Sequence, residues 1–486
     1  MYKNTSSEPK MAKLPYFLDT TLNTDNRWVK LSALIPWTDV EEIYALNFTS
    51  QKGPKAISAR AAFGALIIQV KLSLTDEETV ETIAENPYMQ YFIGLERYEQ
   101  KAPFDSSMMT HFRKRFNAQD IKNIDELLHS TTRRKSDVSD DDFDDEPPSN
   151  KGTIIVDASC VPADIHYPTD LGLLNKAREK TEEIIDTLWR NRSNVDDKVK
   201  PRTYREAGRK SFLSIVLQKR ASKKKRSQAL EKQLNSVRRN LASINELKKY
   251  ADLSLLKSSL YRDLLVIDTL YQQQQYMYDN NVKSVNDRIV SIHQPHVRPI
   301  VRGKAGAHTE FGAKISISVV DGWSFLDTIN FDAYNEGSEL ISQIEQYKDR
   351  FGYYPESAHA DKIYRNKFNR AFCKKHNIRI SGPCLGRPPK DIKLRQEQKE
   401  MQRQDEAVRN AVEGRFGVAK RRYKLDRILT KLKGSSESLI ALVFMVMNLE
   451  KAMAFCYLYL IKIFSRITKQ VKVCIQVVTF KTLIIQ

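Results

Sequence analysis

Three carboxylates stand where a folded chain could bring them to one point. Asp157 ends a short β-branched run that begins at Thr153, and Asp361 ends a second predicted strand. Glu413 lies on a long, charged helix further along the chain. If the strands were neighbours and the helix crossed their edge, the three carboxylates would repel one another unless a cation neutralised them. Mg²⁺ prefers such oxygen ligands, and a pair of these ions can activate an attacking oxygen and stabilise a leaving one.

These residue types alone leave other interpretations open. The chain contains 60 aspartates and glutamates, so three acids at the ends of elements could equally be surface residues. Asp164 and Asp170 compete with Asp157 as the first metal ligand. We prefer Asp157 because it ends the β-branched run, which predicts a buried strand.

Basic residues surround Glu413 on its helix. Arg409 precedes it by four residues and Lys420 follows it by seven, so all three share one face. They could form a surface ion-pair ladder, which contributes little to stability. Alternatively, the acid binds metal while the cations hold phosphates, and the adjoining Arg421 favours this second interpretation.

The composition favours a polyanionic partner. The chain has 486 residues, and 79 Lys and Arg against 60 Asp and Glu give a net charge of +19. Such an excess suits DNA, because neutralising phosphates releases condensed counterions; an anionic membrane surface is the other candidate.

Charged residues interrupt the apolar stretch at 439–464, so we expect a buried helix rather than a membrane span. Five scattered cysteines without a C-x-x-C pair indicate reduced thiols in a cytoplasm.

Periodicity and composition divide the chain into an α/β unit with helical attachments. The predicted segments are a flexible N-terminus (1–27), a helical domain (28–130), an acidic disordered linker (131–152), an α/β domain in two parts (153–171 and 300–430), a helical insertion (172–299), an apolar C-terminal helix (431–465) and an atypical tail (466–486). The helical domain, with its basic third helix, either binds DNA or is simply a helical domain. The basic run at 219–226 in the insertion is either a solvated face or a phosphate-contacting surface. Arg302 and Lys304 flank a glycine and are either phosphate contacts or part of a basic turn.

With these motifs in order, residues 28–450 resemble the DDE transposases of bacterial insertion sequences, in the insertion-sequence-five superfamily. The last helix of that family carries a Y-(2)-R-(3)-E-(6)-K signature. Arg409, Glu413 and Lys420 match its last three residues, whereas Glu406 stands at the tyrosine position. Other stretches that resemble the family are Val156-Asp-Ala-Ser159, Arg302-Gly-Lys304, His359-Ala-Asp361 and Phe112-Arg-Lys-Arg115.

The resemblance implies a fold and a reaction. The fold would be α/β, with an RNase H-like catalytic core whose mixed sheet is flanked by helices, a long helical insertion, and an all-α N-terminal domain that binds DNA. Asp157, Asp361 and Glu413 would bind two Mg²⁺ ions, with Mn²⁺ as a substitute. Water would cut double-stranded DNA at the terminal inverted repeats of the element, and the freed 3′-hydroxyl would then attack target DNA. The DNA contacts implied or expected are Arg409, Lys420, Arg421, Arg302, Lys304, Arg113 and Arg115.

We expect the protein to form a homo-oligomer when it assembles on DNA. We also expect it to be cytoplasmic and associated with the nucleoid, without a membrane partner. Two alternatives stay open from the sequence. One is a nuclease that cuts without strand transfer, and the other is a non-catalytic DNA-binding protein derived from a transposase.

Overall fold

The computed structural model describes residues 22–48, 55–137, 150–192, 199–301, 309–383 and 391–455 of the chain. The helices before the sheet are α1 (Arg27–Ser32), α2 (Trp37–Leu46), α3 (Ala59–Leu72), α4 (Asp76–Glu85), α5 (Pro87–Phe92), α6 (Met108–Arg115) and α7 (Ala118–Asp137). The strands are β1 (Thr153–Pro162), β2 (Arg298–Val301), β3 (Thr309–Val320), β4 (Trp323–Asn330), β5 (Ser357–His359) and β6 (Arg379–Ile380). The other helices are α8 (Asp170–Arg190), α9 (Arg205–Val216), α10 (Lys223–Leu247), α11 (Ser258–Asp279), α12 (Leu340–Phe351), α13 (Lys367–Lys375), α14 (Ile392–Arg422) and α15 (Lys433–Phe455).

The N-terminal helices follow their local sequence signals. α3 consists mainly of small and aliphatic residues and is buried from Ala59 to Val70, with the neighbouring helices packed around it. The sequence Thr75-Asp-Glu-Glu78 predicts a capping box before α4, and the structure contains it: Glu78 N donates to Thr75 Oγ1 at 3.2 Å, and Thr75 N donates to Glu78 Oε2 at 2.8 Å. Pro87 occupies the first position of α5, where its missing N–H breaks no hydrogen bond.

The strands of the described chain form one mixed sheet in the order β2-β3-β1-β5-β6, and β4 also pairs with β3. β3 is antiparallel to β1, β2 and β4, whereas β5 is parallel to both β1 and β6. An Asp-Gly pair between two β-rich runs of the sequence predicts a hairpin. Asp321 and Gly322 join β3 to β4 with φ angles of 48° and 77°, as that turn requires. The predicted mixed α/β class is therefore confirmed, and this topology is compatible with an RNase H-like core.

A single apolar core joins the N-terminal helices to the sheet. It extends from Trp28 through Ile315 of β3 to Val443 of α15. Among the described residues, α15 is the helix long and apolar enough to cross a membrane by length and composition. Its Ile440 and Phe444 are fully buried inside the protein, as expected for a core helix.

The insertion between β1 and β2 has apolar clusters of its own. One cluster is centred on Leu234 and the other on Ile244, and both pack α10 against α8 and α11. Asn240 Nδ2 of α10 also donates to Thr181 Oγ1 of α8 at 3.0 Å, in the buried interface. The insertion is therefore a small helical bundle attached to the sheet at both ends.

Helix α7 extends further than the sequence predicted. It ends at Asp137, so residues 131–137 are helical and do not belong to a linker. The physical reason is a tertiary contact, since the Arg133 guanidinium lies over the Phe351 ring at 5.1 Å. The rest of the acidic segment, 138–149, lies outside the described residues, as do the N-terminal residues 1–21 and the tail from 456.

Strand β1 also extends further than predicted. We expected Asp157 to end it, but the strand continues to Pro162 because residues 158–162 pair with β3. Asp157 therefore lies in the middle of β1, and what ends near it is the pairing with β5.

Candidate active site at the centre of the sheet

The two aspartates occupy equivalent positions on neighbouring parallel strands. In the register of β1 and β5, Ile155 pairs with His359, an offset of 359 − 155 = 204 residues. Asp157 and Asp361 have the same offset, 361 − 157 = 204, and come two residues beyond this last pair. Residues two apart in a strand share one face. The parallel pairing therefore brings both aspartates to the same point at the end of the β1–β5 ladder.

Asp157 is a partly buried acid among other charged groups. Burial raises its pKa to about 6; the hydrogen bond from Ala158 N, 2.8 Å from Oδ1, opposes the shift. The carboxylates of Glu336 and Asp361 raise this pKa further, and the Arg409 guanidinium lowers it. Asp157 therefore lies within electrostatic reach of two other acids and one cation.

Asp361 begins a tight turn and faces helix α14. Its carboxylate accepts a hydrogen bond from Lys362 N at 2.7 Å and so caps a short 3₁₀ turn. Arg409 Nη1 lies 3.7 Å from Asp361 Oδ1. Because about half of the Asp361 side chain is exposed, this ion pair contributes little to stability and leaves the carboxylate accessible.

Glu413 lies between two points where α14 contacts the aspartate strands. One turn before it, Arg409 reaches Asp361; two turns after it, Lys420 Nζ donates to Ser159 Oγ of β1 at 3.0 Å. The three α14 residues share a helix face, so Glu413 is held over the same part of the sheet. Its side chain is exposed, and it is not among the charged groups that shift the pKa of Asp157.

Glu336 is an acid of this region that the sequence analysis missed. It lies in the short turn that follows β4, and Lys314 Nζ of β3 is 2.9 Å from its Oε1. The turn packs against the one that begins at Asp361: a Cβ added to Gly337 would lie 2.5 Å from the Ile363 carbonyl oxygen. No local pattern marks Glu336, because only the packing of two distant turns brings it near Asp157.

Tyr364 is a buried residue within electrostatic reach of the acids of the site. Its side chain is fully buried, and its hydroxyl has no hydrogen-bond partner among the described residues. Burial raises the pKa of this hydroxyl, and the carboxylates of Glu336 and Asp157 raise it further. The hydroxyl therefore stays protonated and is a neutral donor close to two acids.

The donor set suits a hard divalent cation. Carboxylate oxygens are the ligands that Mg²⁺ prefers, and a cation would relieve the repulsion that Glu336 and Asp361 exert on Asp157. As they stand, no three acids, histidines or cysteines of the described residues are grouped closely enough to hold a metal. A cation held by Asp157 and Asp361 would therefore need a third carboxylate to approach, from Glu413 or from Glu336.

In the N-terminal domain, the structure corrects one predicted DNA contact, Arg113, and gives a second, Arg115, partners inside the protein. Arg113 is buried, and its Nη2 lies 2.7 Å from Asp76 Oδ2. Arg115 Nη1 donates to the Tyr44 hydroxyl at 3.1 Å, and its guanidinium lies 4.4 Å from the centroid of the Phe48 ring. Arg113 therefore stabilises the helical domain rather than faces a ligand, because a buried guanidinium needs partners inside the protein. Arg115 is half-buried and contacts residues at the end of α2.

The remaining candidates fall into three groups. Asp164 and Asp170, the rivals of Asp157, form ion pairs with Arg427 at 2.5 Å and Arg288 at 2.6 Å, respectively. Arg421 is exposed on α14, beyond Lys420. Residues 302 and 304 lie outside the described residues.

Comparison with known families places these features in context. Residues 358–450 match the model described as "Transposase DDE domain", a stretch that contains Asp361, Arg409, Glu413 and Lys420. Residues 17–115 match "Transposase domain (DUF772)", which covers most of the N-terminal helices. No solved structure matches the chain significantly.

A relative is similar to about a third of the chain. The chain is 32% identical over 179 residues to "Uncharacterized protein ORF8 in nfe locus" of Rhizobium meliloti, which covers 35% of this chain and 80% of the relative. Together with the two domain matches, this similarity shows that the chain belongs to the DDE transposases of insertion sequences.

Proposed function

We propose that the chain binds the terminal inverted repeats of an insertion sequence, cuts DNA there by metal-dependent hydrolysis, and joins the 3′-hydroxyl ends to target DNA. The single observation that carries this proposal is the register that sets Asp157 beside Asp361, with α14 laid over both. Both reactions are in-line phosphoryl transfers, in which positioning and neutralisation of charge supply most of the catalysis.

Each residue of the proposed site has a defined task. Asp157, Asp361 and Glu413 would hold two Mg²⁺ ions, or Mn²⁺ in their place. When bound, such ions polarise the phosphate and lower the pKa of an attacking water. Arg409 and Lys420 would hold the phosphates on either side of the scissile bond, because they flank Glu413 on the face that contacts the sheet.

Glu336 would act as a positioning residue. Its ion pair with Lys314 would hold it in place, and its carboxylate raises the pKa of Asp157, so its negative charge acts at the site. That charge favours a cation between Asp157 and Asp361, in the way that neighbouring groups tune other metal sites. Tyr364 would donate its hydroxyl, which has no partner among the described residues, to a carboxylate of the site.

The proposed partners follow from this chemistry. The net charge of +19 suits double-stranded DNA, both repeat ends and target. Because cutting and joining two ends requires two active sites, we expect a homo-oligomer on DNA. Membership of a transposase family is in keeping with a cytoplasmic protein, and association with the nucleoid would follow from DNA binding.

The test is a gel assay of cleavage and joining on duplexes that carry the flanking repeats of the element. Wild type, Asp361→Asn and the control Asp349→Asn are each incubated with Mg²⁺ and with EDTA. Asp349 is an exposed acid on α12, so its loss changes the net charge equally without touching the site. We expect Asp361→Asn to abolish cutting and joining, to leave repeat binding intact, and the control to behave as wild type.

Other outcomes would point to other functions. Cutting without joined products would indicate a nuclease on the same core. Repeat binding without cutting would indicate a DNA-binding derivative of a transposase. Equal loss of binding and cutting in Asp361→Asn would show that Asp361 is structural, and would overturn the proposed site.

A further inference from the structure

The positive charge of the chain is concentrated at one end of the insertion. Residues 199–226 contain 11 Lys and Arg and one Glu, a net charge of +10 out of +19 for the whole chain. We call residues 219–226, the turn between α9 and α10 with the first turn of α10, the basic tip. Its cations are Lys219, Arg220, Lys223, Lys224, Lys225 and Arg226.

The cations of the basic tip have no acidic partners in the described part of the chain. All six are exposed, and none forms an ion pair there. Elsewhere in the same bundle the opposite holds: Asp186 of α8 pairs with Lys200 at 2.7 Å and with Arg205 at 3.0 Å. Lys200 and Arg205 are therefore compensated by an acid of α8, whereas the cations of the tip are not.

Local stability does not account for the basic tip. Lys223, Lys224 and Lys225 occupy the first turn of α10, which contains no acid. Cations at the N-terminus of a helix oppose its dipole and so weaken the helix. The sequence thus keeps several residues that weaken their own helix, which indicates a role in binding.

The bundle holds the basic tip in a fixed position, away from its core. The first buried residue of α10 is Ala229, so the helix extends about 9 Å beyond its packed part at 1.5 Å per residue. Gln233 Nε2 donates to the Gly208 carbonyl at 2.9 Å and ties α9 to α10. Both helices that carry the tip are therefore anchored, and ordering them on binding costs little entropy.

From this charge and placement we propose that the basic tip binds the phosphate backbone of duplex DNA, without reading its sequence. The proposal rests on the proposed function, since it assigns a DNA contact to a transposase outside the active site and the N-terminal domain. A second copy of the chain would not suit the same surface, because two such tips would repel each other. Exposed Leu217 and Val216 beside the tip make an anionic membrane the rival partner, which the experiment must separate.

The experiment compares two triple variants of the full chain. One is Lys223→Gln/Lys224→Gln/Lys225→Gln in the tip. The matched control is Lys248→Gln/Lys249→Gln/Lys257→Gln, which removes the same charge from exposed positions in the connection between α10 and α11. Affinity for a duplex without repeat sequences is measured at several salt concentrations, and binding to phosphatidylserine vesicles is measured alongside.

The tip variant should bind the duplex more weakly and with a shallower salt dependence. Each lost phosphate contact lowers the slope of log K against log salt by about 0.9, so three contacts would lower it by up to about 2.7 and weaken binding up to about 100-fold at 0.15 M salt. The control should keep the wild-type slope. The tip variant should also be at least as stable as wild type to heat, because the removed cations oppose the helix dipole.

Two results would overturn the proposal: equal slopes for the tip variant and the control, or loss of vesicle binding with unchanged DNA binding. Failure of the proposed function has a different signature. In that case wild type itself would bind neither repeat-bearing nor plain duplex, or would not cut the repeat-bearing one in Mg²⁺.

Discussion

A buried acid, Asp125, joins the N-terminal domain to the rest of the protein and makes a pH-dependent contribution to stability. Asn448 Nδ2 of α15 lies 3.1 and 2.8 Å from the two carboxylate oxygens of Asp125 and 2.9 Å from the Ser324 carbonyl of β4. Burial raises the pKa of Asp125 to about 7, although the Asn448 hydrogen bonds and the charge of Arg350 oppose the shift. Folding therefore favours the protonated acid.

The size of the effect follows from the two pKa values. A change from the ordinary 3.8 to about 7 corresponds to about 4 kcal/mol between the ionised and the protonated forms. The pKa of Asp125 is higher in the folded protein than in the unfolded chain. The stability that the protonated acid contributes is therefore fully present below pH 3.8 and is lost as the pH rises through 7. Above pH 7 the carboxylate is ionised in both states, and its contribution to the free energy of unfolding no longer changes with pH.

Asp125→Asn removes the ionisable group while keeping its shape. The free energy of unfolding of the variant, minus that of wild type, should rise by about 1.4 kcal/mol per pH unit between pH 4 and 7 and then level off. The assay is urea unfolding followed by circular dichroism at each pH, with Asp349→Asn as an exposed control that should show no such slope. His129 has a pKa lowered to about 4 by burial and acts in the opposite direction, but it is present in both proteins and cancels.

Parallel stability profiles for wild type and Asp125→Asn would refute the reasoning. They would mean that Asp125 ionises in the folded protein as easily as in the unfolded chain. In that case Lys122 and Arg350, which line the same polar cavity of about 230 Å³, would supply enough positive charge to offset burial.

Four further changes test the sheet and the site. Gly312→Ala should lower the free energy of unfolding by about 2–3 kcal/mol, because the new Cβ would lie 2.0 Å from the Val161 carbonyl oxygen; Gly414→Ala, with open space around it on α14, should raise it by about 0.5–1 kcal/mol in the same urea titration. Glu336→Gln should raise the Mg²⁺ concentration for half-maximal cleavage about 10-fold, and an unchanged Mg²⁺ titration would exclude its proposed role. Lys420→Met should slow cleavage about 100-fold while repeat binding measured by gel shift stays within a fewfold of wild type.

The sequence alone predicted best those features that depend on neighbouring residues in the chain. The capping box at Thr75, the Asp-Gly hairpin at Asp321 and the buried helix near residue 440 each depend on a few neighbouring residues, and the structure confirms all three. The sequence also predicted the family, because the family's motifs occur in its order along the chain. Two domain models match the chain and confirm that prediction. Which acids bind metal stays a prediction, although the strand register supports Asp157 and Asp361 as neighbours.

What a residue faces was decided by the tertiary structure. A basic helix end looks the same in sequence whether its arginine contacts DNA or, like Arg113, pairs with Asp76 inside the domain. Likewise, Glu336 comes near Asp157 only because two turns pack together after the chain has passed through the whole helical insertion. By itself, the sequence determined the elements, the excess charge and the family. The contacts between distant elements decided which charges are buried, because burial depends on packing partners that no local pattern specifies.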